Sequence, residues 1–218
     1  RILHMGVRLP SARNSKGDAP SRPFRLLCPA ALLPVKGHVY LIEALTRLEK
    51  DIQLWLAGEG QLRKRLEAQV TELGLQERVQ FLGQLPHESL LRLYNERQVD
   101  VVILPSVDLG KGLHEGIPVA LMEAMAYGVP VIATRTGGIP ELLSGGAGVL
   151  VRPKDPEELA LAIARLKRDP ALRERVGRRA RRRVEQEFVV EKVVERLVQW
   201  FSESKTSLRC SYSRQMDC

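Results

Sequence analysis

Long apolar runs are missing from this 218-residue chain, and aromatic residues are scarce: two Trp, four Tyr and four Phe. No stretch reaches the about 18 consecutive apolar residues that a membrane-spanning helix requires. The opening Arg1 to Pro10 lacks the apolar centre of a signal peptide. Only three cysteines occur, at 28, 210 and 218, two of them within the last nine residues. That spacing excludes a disulfide framework and a zinc-ligand pattern and fits a reducing, cytoplasmic setting. The P-loop pattern GxxxxGK followed by Ser or Thr is also absent.

What the chain does have is positive charge, and it is concentrated. The formal net charge is +8; between Arg165 and Arg183 ten basic residues face only Asp169 and Glu174, and the rest is close to neutral. Such a run reads as a solvated helix face, as a contact for anionic lipid on the inner face of a membrane, or as a nucleic-acid contact. No aromatic platform or recognition motif accompanies the arginines, so no nucleic-acid partner is expected.

Short β-rich runs alternate with helical patterns from residue 24 to about 168. Strands are expected at Arg25–Cys28, Ile52–Ala57, Val79–Leu82, Val101–Leu104, Pro130–Thr134 and Gly148–Val151. Helices are expected over 37–49, 61–73, 87–95 and about 117–127. Val101-Val102-Ile103-Leu104 is continuously apolar, as in a strand covered on both faces. The alternation predicts an α/β fold: a Rossmann-like, doubly wound parallel sheet of about six strands. A helical tail follows. Asp155-Pro156-Glu157-Glu158 is a helix start with a capping Asp, a first-position proline and acids in the first turn. Asp169-Pro170 opens an arginine-rich helix, and a last amphipathic helix spans about 190–202. The organisation is a linker segment over 1–22, polar and Pro-containing in 11–22, one domain over 23–203, and a disordered tail over 204–218.

In an open parallel sheet, ligands settle at the carboxyl ends of strands, where helix N-termini present free amides. The loop after the first strand ends in Lys36-Gly37. A lysine there reaches a phosphate seated on helix amides, and an exposed loop lysine reads the same. The loop after the second strand, Gly58-Glu59-Gly60, opens like a dinucleotide fingerprint but lacks the third glycine, which argues against a dinucleotide oxidoreductase. The most informative stretch is PSVDLGKGLHEGIPVALMEAMA, Pro105 to Ala126. Glu115 precedes a Gly-Ile-Pro turn, and Glu123 lies among apolar residues of the helix that follows. A carboxylate there is costly unless it has hydrogen-bond partners. Eight helical residues span roughly 12 Å, the reach from a sugar ring to a ribose across a diphosphate. One acid can then hold sugar hydroxyls and the other ribose hydroxyls; Glu123 also reads as a buried acid paired to a neighbouring strand. Thr136-Gly137-Gly138 is a further glycine-rich turn.

These segments resemble glycosyltransferase family 4, retaining enzymes of the two-domain GT-B architecture. The resemblance rests on EGIPVALME, with its E-x7-E spacing, and on VKGHVYLIEAL, LAGEGQLRKRLE, VQFLGQLPHESL, VVILPS, EAMAYGVPVIAT and GGIPELL in order, over about residues 24–168. It implies that Glu115 holds the donor sugar, with Gly116, Ile117 and Pro118 shaping the turn against sugar and phosphate. It further implies Lys36 on the diphosphate and Glu123 on the ribose. Gly58, Gly60, Leu82, Gly83 and Ser106 would complete the donor site around a UDP-sugar or GDP-sugar, with no metal or other cofactor. The family arginine five residues before the lysine is replaced by Ala31, leaving Lys111 or Arg135 to compensate. The resemblance also implies that this sequence is one half of a GT-B enzyme, the donor-binding half. The acceptor-binding N-terminal domain would then be a partner supplied elsewhere, and the chain alone would bind donor without transferring sugar. A non-catalytic sugar-nucleotide module and a basic peripheral-membrane domain remain as other readings.

Overall fold

The computed structural model describes residues 3–10, 22–110 and 115–213, with side chains as far as 203. Lys111 and most of the 11–22 linker lie outside the described residues. Six parallel strands form one sheet: β1 (Phe24–Pro29), β2 (Ile52–Ala57), β3 (Val79–Gly83), β4 (Val101–Leu104), β5 (Val131–Thr134) and β6 (Val149–Val151), in the order β3-β2-β1-β4-β5-β6. The helices are α1 (His38–Leu45), α2 (Arg63–Glu72), α3 (His87–Asn95), α4 (Val119–Ala126), α5 (Ile139–Leu142), α6 (Pro156–Arg168), α7 (Pro170–Glu187) and α8 (Val190–Ser213). They divide into two layers, with α1 packed on α2 and α6, and α4 packed on α3 and α7. The doubly wound sheet expected from the sequence is the one observed.

Every residue of β4 and β5 is buried, which explains why β4 reads as an unbroken apolar run rather than an alternating one; β5 ends in the buried Thr134. β1 sits at the centre, paired with β2 over its full length and with β4 through Leu26 and Leu27. The chain leaves β1 toward β2 and β3, then returns to the other side of β1 as β4. The loops after β1 and β4 therefore run in opposite directions, the reversal at which open α/β sheets have their ligand crevice.

Several boundaries differ from the expected ones, each for a local reason. α1 stops at Leu45 because its last turn tightens: Thr46, Arg47 and Leu48 N–H groups bond three residues back, and Thr46 Oγ1 also donates to the Glu43 carbonyl. α2 starts at Arg63 because the Leu62 N–H is drawn away to the Leu32 carbonyl. α4 starts at Val119 because Pro118 is extended, at φ −75° and ψ 120°. α8 runs to Ser213, past residue 202, and no proline or glycine interrupts it. Where the sequence suggested a disordered tail from 204, the backbone is thus helical through 213. The cap on α6 is as anticipated, with Asp155 accepting from the Glu158 N–H at 2.8 Å. At the other end of the domain, Val7 bridges Val189 and its N–H donates to the Phe188 carbonyl at 2.8 Å. Residues around Val7 are thereby tied to the start of α8.

His38, the first residue of α1, is fully buried, and neither ring nitrogen finds a hydrogen-bond partner among the described residues. Burial first, and the Lys36 charge second, push its pKa down to about 4 against a favourable but weaker backbone influence from Ala30. The unfolded chain therefore takes up a proton below about pH 6.5 that the folded chain refuses until about pH 4. Stability is unaffected above that window and falls as the pH drops through it, by up to about 3 kcal/mol. Urea unfolding at pH 7, 5.5 and 4.5 should show this decline, and His38→Gln should flatten the part of it that belongs to this ring.

Candidate functional site

The loop after β1 is bound to the loop after β4. Val107 N–H donates to the Val35 carbonyl at 2.8 Å, and Gly37, at φ +67°, passes so close to Pro105 that a Cβ would stand 2.0 Å from its carbonyl oxygen. Only glycine fits both the conformation and the space. Lys36 is thereby brought over the end of β4, where its Nζ meets Glu115 Oε2 at 2.5 Å. Ser106, fully buried just beyond β4, donates its hydroxyl to the same oxygen at 3.1 Å, while Thr134 Oγ1 donates to the Ser106 carbonyl. Glu115 Oε1 receives no donor from the described residues. The Lys36 and Glu115 side chains are 21% and 13% exposed, so the pair is largely shielded from water yet opens on the crevice.

Downstream of Glu115 the turn is built for backbone approach. A Cβ on Gly116 would meet nothing within 4 Å, and Gly138 from the loop after β5 closes behind it, with its N–H toward the Glu115 carbonyl at 3.3 Å. No side chain caps α4. Leu121 and Met122 N–H groups donate to the Pro118 carbonyl, which leaves the amides of Gly116, Ile117, Val119 and Ala120 as the donors, unclaimed among the described residues, that favour an anion at a helix N-terminus. Pro118 has no N–H and serves only to direct the chain.

Glu123 stands apart from this cluster. It lies within α4 between the buried Met122 and Ala124, its side chain 16% exposed, and its Oε1 is 2.7 Å from His87 Nε2 at the start of α3. Its partner is thus a helix residue rather than a neighbouring strand. Tyr94 and Tyr127 flank it, their hydroxyls driven to higher pKa by burial and, second, by the Glu123 charge. His87 was not singled out from the sequence; its position four residues past Gly83, at the same sheet edge as the other loops, was the available signal.

The glycines of the second loop turn out to serve loop packing. A Cβ at Gly58 would lie 2.2 Å from the Ala30 carbonyl oxygen, and one at Gly60 would lie 2.6 Å from that of Leu32. Leu82 and Gly83 end β3 half-buried beside them, with the Gly83 carbonyl accepting from the Gly58 N–H at 2.8 Å. Ala31 and Arg135 are both exposed at the carboxyl edge, and the Arg135 side chain has no polar partner among the described residues. A polar depression lined by Gln53, Trp55, Arg78 and Gln80 lies elsewhere, toward the amino ends of β2 and β3. The basic run is partly self-neutralised: Arg178, Arg181 and Arg183 pair with Glu174, Glu185 and Glu187, and Lys167 and Arg168 pair with Glu49. No described acid pairs with Arg165, Arg175, Arg179 or Arg182.

Comparison with known proteins places this geometry. The family described as Glycosyl transferases group 1 matches residues 12–183. The amylovoran biosynthesis glycosyltransferase AmsK of Erwinia amylovora is 34% identical over 191 residues, covering 86% of this chain and 46% of that protein. A GDP-mannose-dependent phosphatidylinositol monomannoside mannosyltransferase of Corynebacterium glutamicum is 32% identical, covering 86% and 49%. Among solved structures, Anabaena HepE in complex with UDP aligns with TM-score 0.75 and 28% identity over 84% of this chain and 50% of that one. The sucrose-phosphate synthase of Thermosynechococcus elongatus aligns with TM-score 0.76 and 30% identity over 87% and 47%. The chain spans about half the length of the curated relatives it matches. The crevice between the β1 and β4 loops therefore belongs to a domain of the GT-B type, and this chain is a member of the group 1 glycosyl transferases.

Proposed function

We propose that this chain holds the nucleoside-diphospho-sugar donor of a retaining glycosyl transfer, as family 4 enzymes do. The observation that carries the reading is the Lys36–Glu115–Ser106 cluster in the crevice, with the uncapped start of α4 beside it. A diphosphate placed there meets one cation and several free amides, a combination suited to two linked phosphates. Glu115, with Oε1 open, accepts from the sugar hydroxyls, and Glu123 accepts from the ribose. HepE in complex with UDP-glucose supports a uridine donor, and the GDP-mannose-dependent relative supports a guanosine one.

In the reaction the bond from the anomeric carbon to the diphosphate oxygen breaks. The acceptor hydroxyl attacks from the face the diphosphate leaves and passes its proton to the departing diphosphate oxygen, so configuration is kept. Lys36 and the α4 amides stabilise the charge that develops on the departing phosphate, and the rest is positioning. The acceptor, a saccharide or lipid-linked sugar, is bound by the other half of a GT-B pair, so this chain by itself binds donor and transfers little.

The exposed arginines of α7 favour a second contact. Arg175, Arg179 and Arg182 are spaced to share one face of the helix, and none pairs with a described acid. That face suits anionic lipid at the inner surface of a membrane. Flotation with phosphatidylglycerol vesicles at low salt should retain the chain, and Arg175→Glu with Arg179→Glu should release it; retention unchanged by the double variant contradicts the contact.

Calorimetric titration with UDP, GDP and their sugar conjugates tests the donor site. One nucleotide series should bind, and Glu123→Ala should weaken it about 10- to 100-fold. Failure of every nucleotide to bind overturns the reading. Lys36→Ala should reduce the preference for the diphosphate over the corresponding monophosphate about tenfold, because the lost contact is to phosphate. Equal loss for both ligands contradicts the role given to Lys36.

A further inference from the structure

Glu123 is a carboxylate in an apolar helix segment, and its surroundings decide what it can do. The groups that face it come from two elements. From α3 there are His87, with its side chain 64% exposed, and Tyr94, fully buried; at the end of α4 there is Tyr127. The two tyrosine rings lie 5.9 Å apart, tilted by 49°, and form an apolar wall. The Tyr94 hydroxyl is buried with no partner among the described residues. His87 is the group that donates to Glu123: a carboxylate only accepts, so Nε2 carries the proton in the 2.7 Å contact to Oε1.

This contact has a directional consequence. A glutamate with no donor turns about its last torsion with little resistance, since terminal carboxylate torsions are broad. An imidazole on Oε1 holds the plane of the carboxylate and leaves Oε2 without a donor among the described residues. Oε1 keeps a second lone pair, so the partly exposed carboxylate retains adjacent acceptor sites that no described donor claims. Two neighbouring hydroxyls on one ring are the donors that match such a pair of acceptors.

We propose that His87 is a positioning residue of the donor site. By orienting Glu123 it sets selection for a ribonucleotide, with both the 2′- and 3′-hydroxyls, over its 2′-deoxy counterpart. The proposal rests on the donor-site reading above. It assigns His87 no contact with base or phosphate, so its effect must pass through Glu123 and the ribose alone.

The test is calorimetric titration of the whole chain with UDP and 2′-deoxy-UDP, and with GDP and 2′-deoxy-GDP, for the unaltered protein, His87→Ala, His87→Gln and Glu123→Ala. The unaltered protein should favour the ribonucleotide about tenfold or more. His87→Ala should reduce that preference at least about threefold while leaving the deoxynucleotide affinity within about twofold. His87→Gln, whose amide N–H also donates, should restore most of the preference. His87 is largely exposed, so the thermal midpoint should hardly move. Equal weakening of both nucleotides by His87→Ala overturns the proposal in favour of direct contact or local unfolding, and an unchanged preference overturns it outright. Strong ribose selection lost in Glu123→Ala but kept in His87→Ala sinks the role of His87 while leaving the donor site standing. Absence of nucleotide binding by the unaltered protein sinks both.

Discussion

A side chain at position 37 would drive its Cβ to 2.0 Å from the Pro105 carbonyl oxygen, and one at position 58 would come to 2.2 Å from that of Ala30. These collisions mark the constraint on which the crevice depends: consecutive loops at the carboxyl edge cross with backbone against backbone. Gly37 lets the β1 loop lie on the β4 loop, Gly58 and Gly60 let the β2 loop lie on the β1 loop, and Gly138 closes the β5 loop behind Gly116. The interlock is sealed by main-chain bonds such as Val107 to Val35 and Leu32 to Glu59. Lys36 and Glu115 are carried by this lattice, and their meeting follows from how closely the loops pack.

The charge pattern follows from the same crowding. Lys36 and Glu115 are both largely withdrawn from water, and separating either from its partner would leave a charge poorly solvated. Pairing them leaves this part of the carboxyl edge without a net charge. In the proposed donor complex a diphosphate at Lys36 would supply the negative charge that Glu115 otherwise provides, and sugar hydroxyls would supply Glu115 with donors, so each member would exchange one partner for another. Ser106 holds Glu115 throughout, being buried and itself fixed through its carbonyl by Thr134. Nearby, the same low-dielectric setting raises the Cys28 thiol to about 12, chiefly by burial with Lys36 opposing, which keeps it an inert packing residue.

Much of this was legible along the chain. Strands covered on both faces are continuously apolar whatever their neighbours, so β4 announced itself, and Asp155 with Pro156 marked the start of α6 before any packing was considered. Lys36, Glu115 and Glu123 stood out because they lie in loops and an apolar helix at the expected sheet edge, whereas Ser106 entered only through the family resemblance. The glycines of the second loop were noticed for close backbone approach, and the structure shows such approach to Ala30 and Leu32. His87 escaped because a histidine at the first turn of a polar helix is unremarkable until its partner is known. The arginine run looked more strongly charged than it is, because its compensating acids lie one turn away on α7 or, for Lys167 and Arg168, on the loop before β2.

By itself the sequence determined the alternation of strands and helices, the loops that reach the carboxyl edge and the chemistry they carry. Each of these is written within a few consecutive residues by apolar periodicity, capping and glycine placement. Only the tertiary structure decided the pairings, for Lys36 and Glu115 are 79 positions apart and His87 and Glu123 are 36 apart. Such contacts depend on which strand returns beside which and on how near two backbones can pass. That depends on the order β3-β2-β1-β4 and on the space left by missing side chains, and no local pattern records either.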